Sequence, residues 1–294
     1  MLQFDGYYPG DIAAYKKQTG LPQVPLQVIL LNGFDGTPTT GPNSGNGEVA
    51  LDIEMAVSMA PNLDRIVLYE AGPNGTGNEV LNLMVTNTAI KQFSSSWGFP
   101  PLSNADRATM DNYFMQMGAQ GQTFFCASGD IGAVGGLIEP PCDDPYITRV
   151  GGTALGTSSP GGPWLSETVW NVQEGPGVNT SSGGISGRYP IPSWQQGVNM
   201  SDNRGSTKMR NIPDVAAAAD NIFLVADNGQ LETSGGTSAA APLWAGFIAL
   251  ANQAAANTGL PSVGFINPAL YQLGANASSA AVFDGSSTFL MGKK

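Results

Sequence analysis

The chain contains no histidine. That absence removes a Ser-His-Asp triad, a Cys-His pair and an HExxH zinc site. Any nucleophile here needs a different base. Charge is also scarce: Asp, Glu, Lys and Arg make up 12% of the 294 residues, where roughly a quarter is usual. What charge there is leans acidic, with 23 Asp and Glu against 12 Lys and Arg and a net charge of -11. Such a surface disfavours nucleic acid and anionic membrane. No apolar run is long enough to mark a transmembrane helix. The opening Met1-Leu2-Gln3-Phe4-Asp5 has neither a basic region nor an apolar stretch. A secretion signal is therefore expected outside this chain. Only two cysteines occur, Cys126 and Cys142. Their closeness suits a small-loop disulfide worth about 3 kcal/mol, or equally two buried free thiols. Their spacing fits no zinc motif.

What is present is small and polar or apolar. Glycine alone contributes 39 residues, and hydrophobic residues reach 41%, enough for a sizeable core. A charge-poor composition suits a secreted protein that works in acid, because few carboxylates then need protonating at a cost in stability. Short β-rich runs predict strands over 27–31, 65–70, 91–95, 123–127, 146–150 and 222–226. Helical patterns predict helices over 11–19, 48–59, 79–87, 105–118 and 238–255. This alternation predicts an α/β fold with a doubly wound, mainly parallel sheet flanked by helices. Sites in such folds gather at the carboxyl ends of the strands. Residues 153–203 are rich in Gly, Ser and Pro, with Trp164, Trp170 and Trp194. They are expected to form surface loops and short strands shaping a cleft. No repeat or linker divides the chain, so one domain over 1–294 is expected.

Three segments carry chemistry. In Ser234-Gly235-Gly236-Thr237-Ser238-Ala239-Ala240-Ala241-Pro242, glycines and small residues run into an apolar helix. Ser238 then sits where helix N–H groups point outward and the dipole is positive. In Gly47-Glu48-Val49-Ala50-Leu51-Asp52, the two acids are four apart and share one helix face. Like charges at that spacing raise a pKa. Ala56 and Met59 continue the face, which suggests that it is buried. A buried acid pair suits a proton relay, with Glu48 taking the proton of Ser238 and Asp52 orienting Glu48. In Phe124-Phe125-Cys126-Ala127-Ser128-Gly129-Asp130, an apolar strand ends in an acid at a cleft edge. A protonated Asp130 can donate one hydrogen bond to a developing oxyanion.

Together these segments resemble the sedolisin family of serine-carboxyl peptidases, and kumamolisin-like members in particular. The resemblance implies a subtilisin-like three-layer fold and a Ser-Glu-Asp triad. Its Gly-Thr-Ser-x-x-x-Pro segment is matched by Gly236 to Pro242, its Glu-x-x-x-Asp helix at Glu48 and Asp52, and its Ser-Gly-Asp segment at Ser128 to Asp130. Ser238 thereby takes the nucleophile role, Glu48 the base role, Asp52 the base-orienting role and Asp130 the oxyanion role. Ser96-Trp97-Gly98 resembles the segment lining the substrate cleft. The resemblance also implies protein or peptide substrates, a secreted monomer, no nucleic acid or membrane partner and no cofactor for the chemistry. It implies a propeptide and the start of the first core strand outside this chain. It further implies a C-terminal calcium site, of which Val282-Phe283-Asp284-Gly285 matches only the opening. Asp284 is then either a remnant calcium ligand or a turn residue. Two alternatives stay open: a truncated or inactive sedolisin homologue, and a glycoside hydrolase using paired carboxylates.

Overall fold

The computed structural model describes residues 1–100, 102–134, 138, 140–172, 179–200 and 204–275. In chain order the strands are β1 (Leu2–Gln3), β2 (Leu26–Leu30), β3 (Ile66–Glu70), β4 (Gln92–Ser95), β5 (Thr123–Ala127), β6 (Ile131–Val134), β7 (Thr148–Thr157), β8 (Trp164–Val169), β9 (Asn171–Val172), β10 (Asn179–Pro190), β11 (Met209–Ile212), β12 (Val215–Ala218), β13 (Ile222–Ala226) and β14 (Gln230–Ser234). The helices are α1 (Pro9–Thr19), α2 (Asn46–Met59), α3 (Gly77–Thr86), α4 (Asn104–Ala119), α5 (Thr237–Asn257) and α6 (Asn267–Ala275). Two parallel ladders form the centre, in the orders β1-β3-β2 and β12-β7-β5-β4. β1 lies beside β4, so the second ladder continues the first.

Period-2 alternation along the strands sends side chains to both faces. On β5, Phe124 and Cys126 join a cluster built on α3 and α4. Phe125 and Ala127 join one built on α5. On β3, Val67 and Tyr69 face the first cluster, while Ile66 and Leu68 meet α1 and α2. The result is the expected three layers, with helices on both faces of a mainly parallel sheet.

The five predicted helices and most predicted strands fall within a few residues of those observed. The stretch 153–203 differs. Instead of mostly loops, its described part holds the end of β7, the β7–β8 hairpin and the 12-residue β10. β10 pairs with β6 in parallel and with β9 and β11 antiparallel. Its strand character comes from distant partners, which its Gly- and Ser-rich local sequence does not reveal. The strand expected over 146–150 begins at Thr148 and runs on to Thr157. α6, β11 and β12 were not expected. The two cysteines are buried free thiols rather than a disulfide. Cys126 Sγ accepts a hydrogen bond from the Arg149 guanidinium at 2.7 Å. Asp284 lies outside the described residues.

Candidate active site

The central helix α2 is buried nearly all round, from Val49 through Val57. A helix enclosed in this way is normally apolar on every side. This one carries three acids. Asp52 and Glu54 are 0% exposed, while Glu48, in the first turn, opens partly to the surface. Glu54 points away from the other two and accepts from the backbone N–H of Val225 on β13 at 3.1 Å. Glu48 and Asp52, one turn apart, share the other side.

Asp52 is held from two directions. The Gln3 side-chain amide donates to its Oδ2 at 2.7 Å, and the Ser96 hydroxyl donates to its Oδ1 at 2.6 Å. Gln3 is in turn fixed by the indole N–H of Trp97, which donates to Gln3 Oε1 at 2.8 Å. The Trp97 ring packs edge-on against Phe4 and over Gly45, where an added Cβ would sit 2.5 Å from the ring. Gly45 leaves room for that indole at the entrance to α2. Burial raises the Asp52 pKa, and the Ser96 and Gln3 hydrogen bonds pull it back. Burial raises the Glu48 pKa further, followed by repulsion from Asp52 and, more weakly, from Asp130. The Ser238 and Ser96 hydroxyls face the Glu48 carboxyl and partly offset that rise. Glu48 Oε1 is an enclosed oxygen with no hydrogen-bond partner.

Ser238 is the second residue of α5. Gly236, just before the helix, has φ +154°, a conformation that L side chains rarely adopt. A Cβ there would lie 3.3 Å from Asp130 Oδ2 and 3.7 Å from the Ser238 nitrogen. Asp130 thus sits at the start of α5, where backbone N–H groups are unpaired. Its Oδ1 accepts from the Thr237 N–H at 2.8 Å and the Thr237 hydroxyl at 2.9 Å. The Thr237 oxygen accepts from the Gly129 N–H at 2.9 Å. This clasp leaves Asp130 Oδ2 as the carboxyl oxygen nearest Gly236.

The fold therefore brings Glu48, Asp52, Asp130, Ser238 and Ser96 into one site. They come from α2, the loops after β4 and β5, and the start of α5, at the carboxyl ends of parallel strands. Of the cleft segment, Trp97 turns inward to Gln3 and Gly98 is exposed. The model for the subtilase family matches residues 38–272. The chain belongs to the subtilase family.

The relatives of this subtilase include kumamolisin from Bacillus sp. (strain MN-32), 37% identical over 91% of the chain and 50% of the relative. Sedolisin from Pseudomonas sp. (strain 101) is 31% identical over 87% of the chain and 46% of its own length. The chain thus spans about half the length of the curated relatives it matches. The solved structure of Pseudomonas sedolisin, a serine-carboxyl proteinase complexed with two molecules of pseudo-iodotyrostatin, superposes with a TM-score of 0.78. That match is 27% identical and covers 95% of the chain and 79% of that structure. The resemblance to kumamolisin-like sedolisins is borne out, as is the subtilisin-like fold.

Two residues of the site escaped the sequence. Gln3, 0% exposed, gave no signal beyond being polar in an apolar stretch. Thr237 lay inside the recognised Gly-Thr-Ser segment, but nothing there pointed to Asp130. Among the described residues no group of three or more Cys, Asp or Glu side chains is arranged to hold a metal ion. None of their helices is long and apolar enough to cross a membrane.

Proposed function

We propose that this subtilase is an acid-acting serine-carboxyl endopeptidase unit, secreted and working as a monomer on protein or peptide substrates. The observation that carries the reading is the convergence of a mutually repelling acid pair, buried Asp52 and partly exposed Glu48, on a hydroxyl at a helix start, with a third acid beside it. Ser238 Oγ attacks the scissile carbonyl carbon and its proton passes to Glu48. The carbonyl oxygen gains negative charge and is met by the Ser238 N–H and by a proton on Asp130 Oδ2. Oδ1 already accepts two hydrogen bonds, which leaves Oδ2 as the place for that proton. Glu48 then gives its proton to the leaving amine, and a water repeats the sequence to free Ser238. No step needs a cofactor or calcium.

The pH dependence follows from the chemistry. The acid pair needs one free carboxylate to take the proton, so the rate falls when acid protonates both. The oxyanion also needs a carboxyl that still carries its proton, a form that rising pH removes, so the rate falls on the alkaline side. The test is cleavage of an unfolded protein between about pH 3 and pH 8, beside Ser238→Ala and Asp130→Asn. The expected result is cleavage confined to acid and lost in Ser238→Ala. Equal rates at both ends of that range, or a fully active Ser238→Ala, would sink the reading.

A further inference from the structure

Glu48 lies in the first turn of α2, so its placement depends on how that turn is set. The far end of α2 is fixed by packing on α5: a Cβ added at Gly246 would sit 2.9 Å from the Met59 Cβ and 3.3 Å from the Ala56 carbonyl oxygen. The near end has no cap of its own. Gly45, at the N-cap position, has no side chain to offer and makes no side-chain cap bond. A side chain does not fit there either, because its Cβ would lie 2.5 Å from the Trp97 ring. The first N–H groups of a helix need acceptors from outside it.

Asp5 supplies an acceptor from 40 residues earlier in the chain. Its Oδ2 accepts from the Gly45 N–H at 2.8 Å and from the Thr39 hydroxyl. Its Oδ1 accepts from the Gly6 N–H at 2.8 Å and the Thr39 N–H at 2.9 Å. Four donors converge on this carboxyl, which is 1% exposed, and each oxygen takes two. It stands at the start of α2, where the helix dipole is positive. Further bonds carry the hold into the helix. The Asn46 N–H and side-chain amide donate to Ser44 Oγ at 3.2 and 2.6 Å, and Ser44 donates to the Thr39 carbonyl oxygen at 2.7 Å. Asn46 also exchanges two bonds with Asp227, on the turn after β13, at 2.7 and 3.2 Å.

We propose that Asp5 is a positioning residue for the base: its carboxyl stands in for the missing cap of α2 and sets the first turn so that Glu48 meets Ser238. This rests on the function proposed above. Asp5 clasps Thr39 and Gly45, the two ends of the segment that feeds α2, and so fixes where the helix begins. It touches neither Ser238 nor Glu48 and acts through the backbone. The acids that repel Glu48 are Asp52 and Asp130, whereas the charge of Asp5 acts on Glu70. The chain at β1 thereby serves both members of the acid pair. Gln3 holds Asp52 directly, and Asp5, two residues on, holds the turn that carries Glu48.

Two substitutions loosen the helix start in different ways. Asp5→Asn keeps the shape but replaces one double acceptor by an amide donor. The Thr39 hydroxyl turns to accept from that amide, and the Gly45 N–H loses its acceptor. Ser44→Ala removes the oxygen that takes the Asn46 N–H and leaves every charge in place. Both are compared with the unsubstituted chain in peptide cleavage, under conditions where circular dichroism shows each protein folded. Asp5→Asn is expected to lose about tenfold in kcat with KM nearly unchanged, and Ser44→Ala to lose less in the same direction. Carboxyl carbon NMR of the Ser238→Ala protein reads the same displacement without activity. Burial is the chief cause that raises the Glu48 pKa, so a loosened turn that admits water should lower the Glu48 titration in both variants. The charge-neutral Ser44→Ala separates this from the loss of the Asp5 charge, and it decides alone if Asp5→Asn does not fold. An unchanged kcat and an unmoved Glu48 titration in folded variants overturn the positioning role, even if urea unfolding shows lower stability. In that case Ser238-dependent cleavage by the unsubstituted chain leaves the proposed function standing. Absence of such cleavage at every pH sinks that function and the positioning role with it.

Discussion

Glu54 ties the stability of this fold to pH. Its carboxyl is 0% exposed, one oxygen accepts from Val225 N–H at 3.1 Å, and the other has no partner. Burial raises its pKa from 4.5 to about 9; the Val225 hydrogen bond opposes this and the charge of Asp11 adds to it. The folded chain holds this proton well above the pH at which the unfolded chain releases it. Its contribution is therefore fully present below about pH 4.5 and is lost as pH rises towards the folded value. At about 1.4 kcal/mol per pH unit, the loss between pH 4.5 and 7 is on the order of 3 kcal/mol. That is a large share of a typical stability. Glu54→Gln removes the ionisation and keeps the shape. It should cost little in acid and flatten the fall towards neutrality by up to about that amount. Urea unfolding of both proteins at about pH 4.5 and pH 7 measures the difference. If Glu54→Gln keeps the full pH slope, the buried carboxyl is not its source and the reasoning fails.

Two other substitutions test the framework of the site. Gly236→Ala places a Cβ 3.3 Å from Asp130 Oδ2 at φ +154°, and should lower kcat by about tenfold or more, with KM little changed, in steady-state peptide cleavage. Arg210→Ala breaks a bidentate pair with Asp214, both contacts at 2.8 Å and both partners 0% exposed. It also frees the carbonyls of Asp143, Asp144 and Ile147. Loss of about 3–5 kcal/mol is expected, read by denaturant titration, and a change below 1 kcal/mol would contradict the role given to this pair.

The sequence determined the chemistry by exclusion and by local pattern. With no histidine, the choice fell on carboxylates, and the four-residue spacing of Glu48 and Asp52 set them on one side of a helix whatever surrounded it. The helices were legible because their periodicity is local, and Ser238 could be placed at a helix start because Gly236 and Pro242 bracket it. The environment of those acids was decided only in the tertiary structure. Glu54 is buried because β13, distant in sequence, closes over it. β10 reads as loop until β6 and β11 supply its hydrogen bonds. Gln3 and Trp97 are 94 residues apart, and only the adjacency of β1 and β4 sets them in line behind Asp52. The clasp of Asp130 by Thr237 spans 107 residues. Contacts of that separation depend on strand order, which no local pattern encodes.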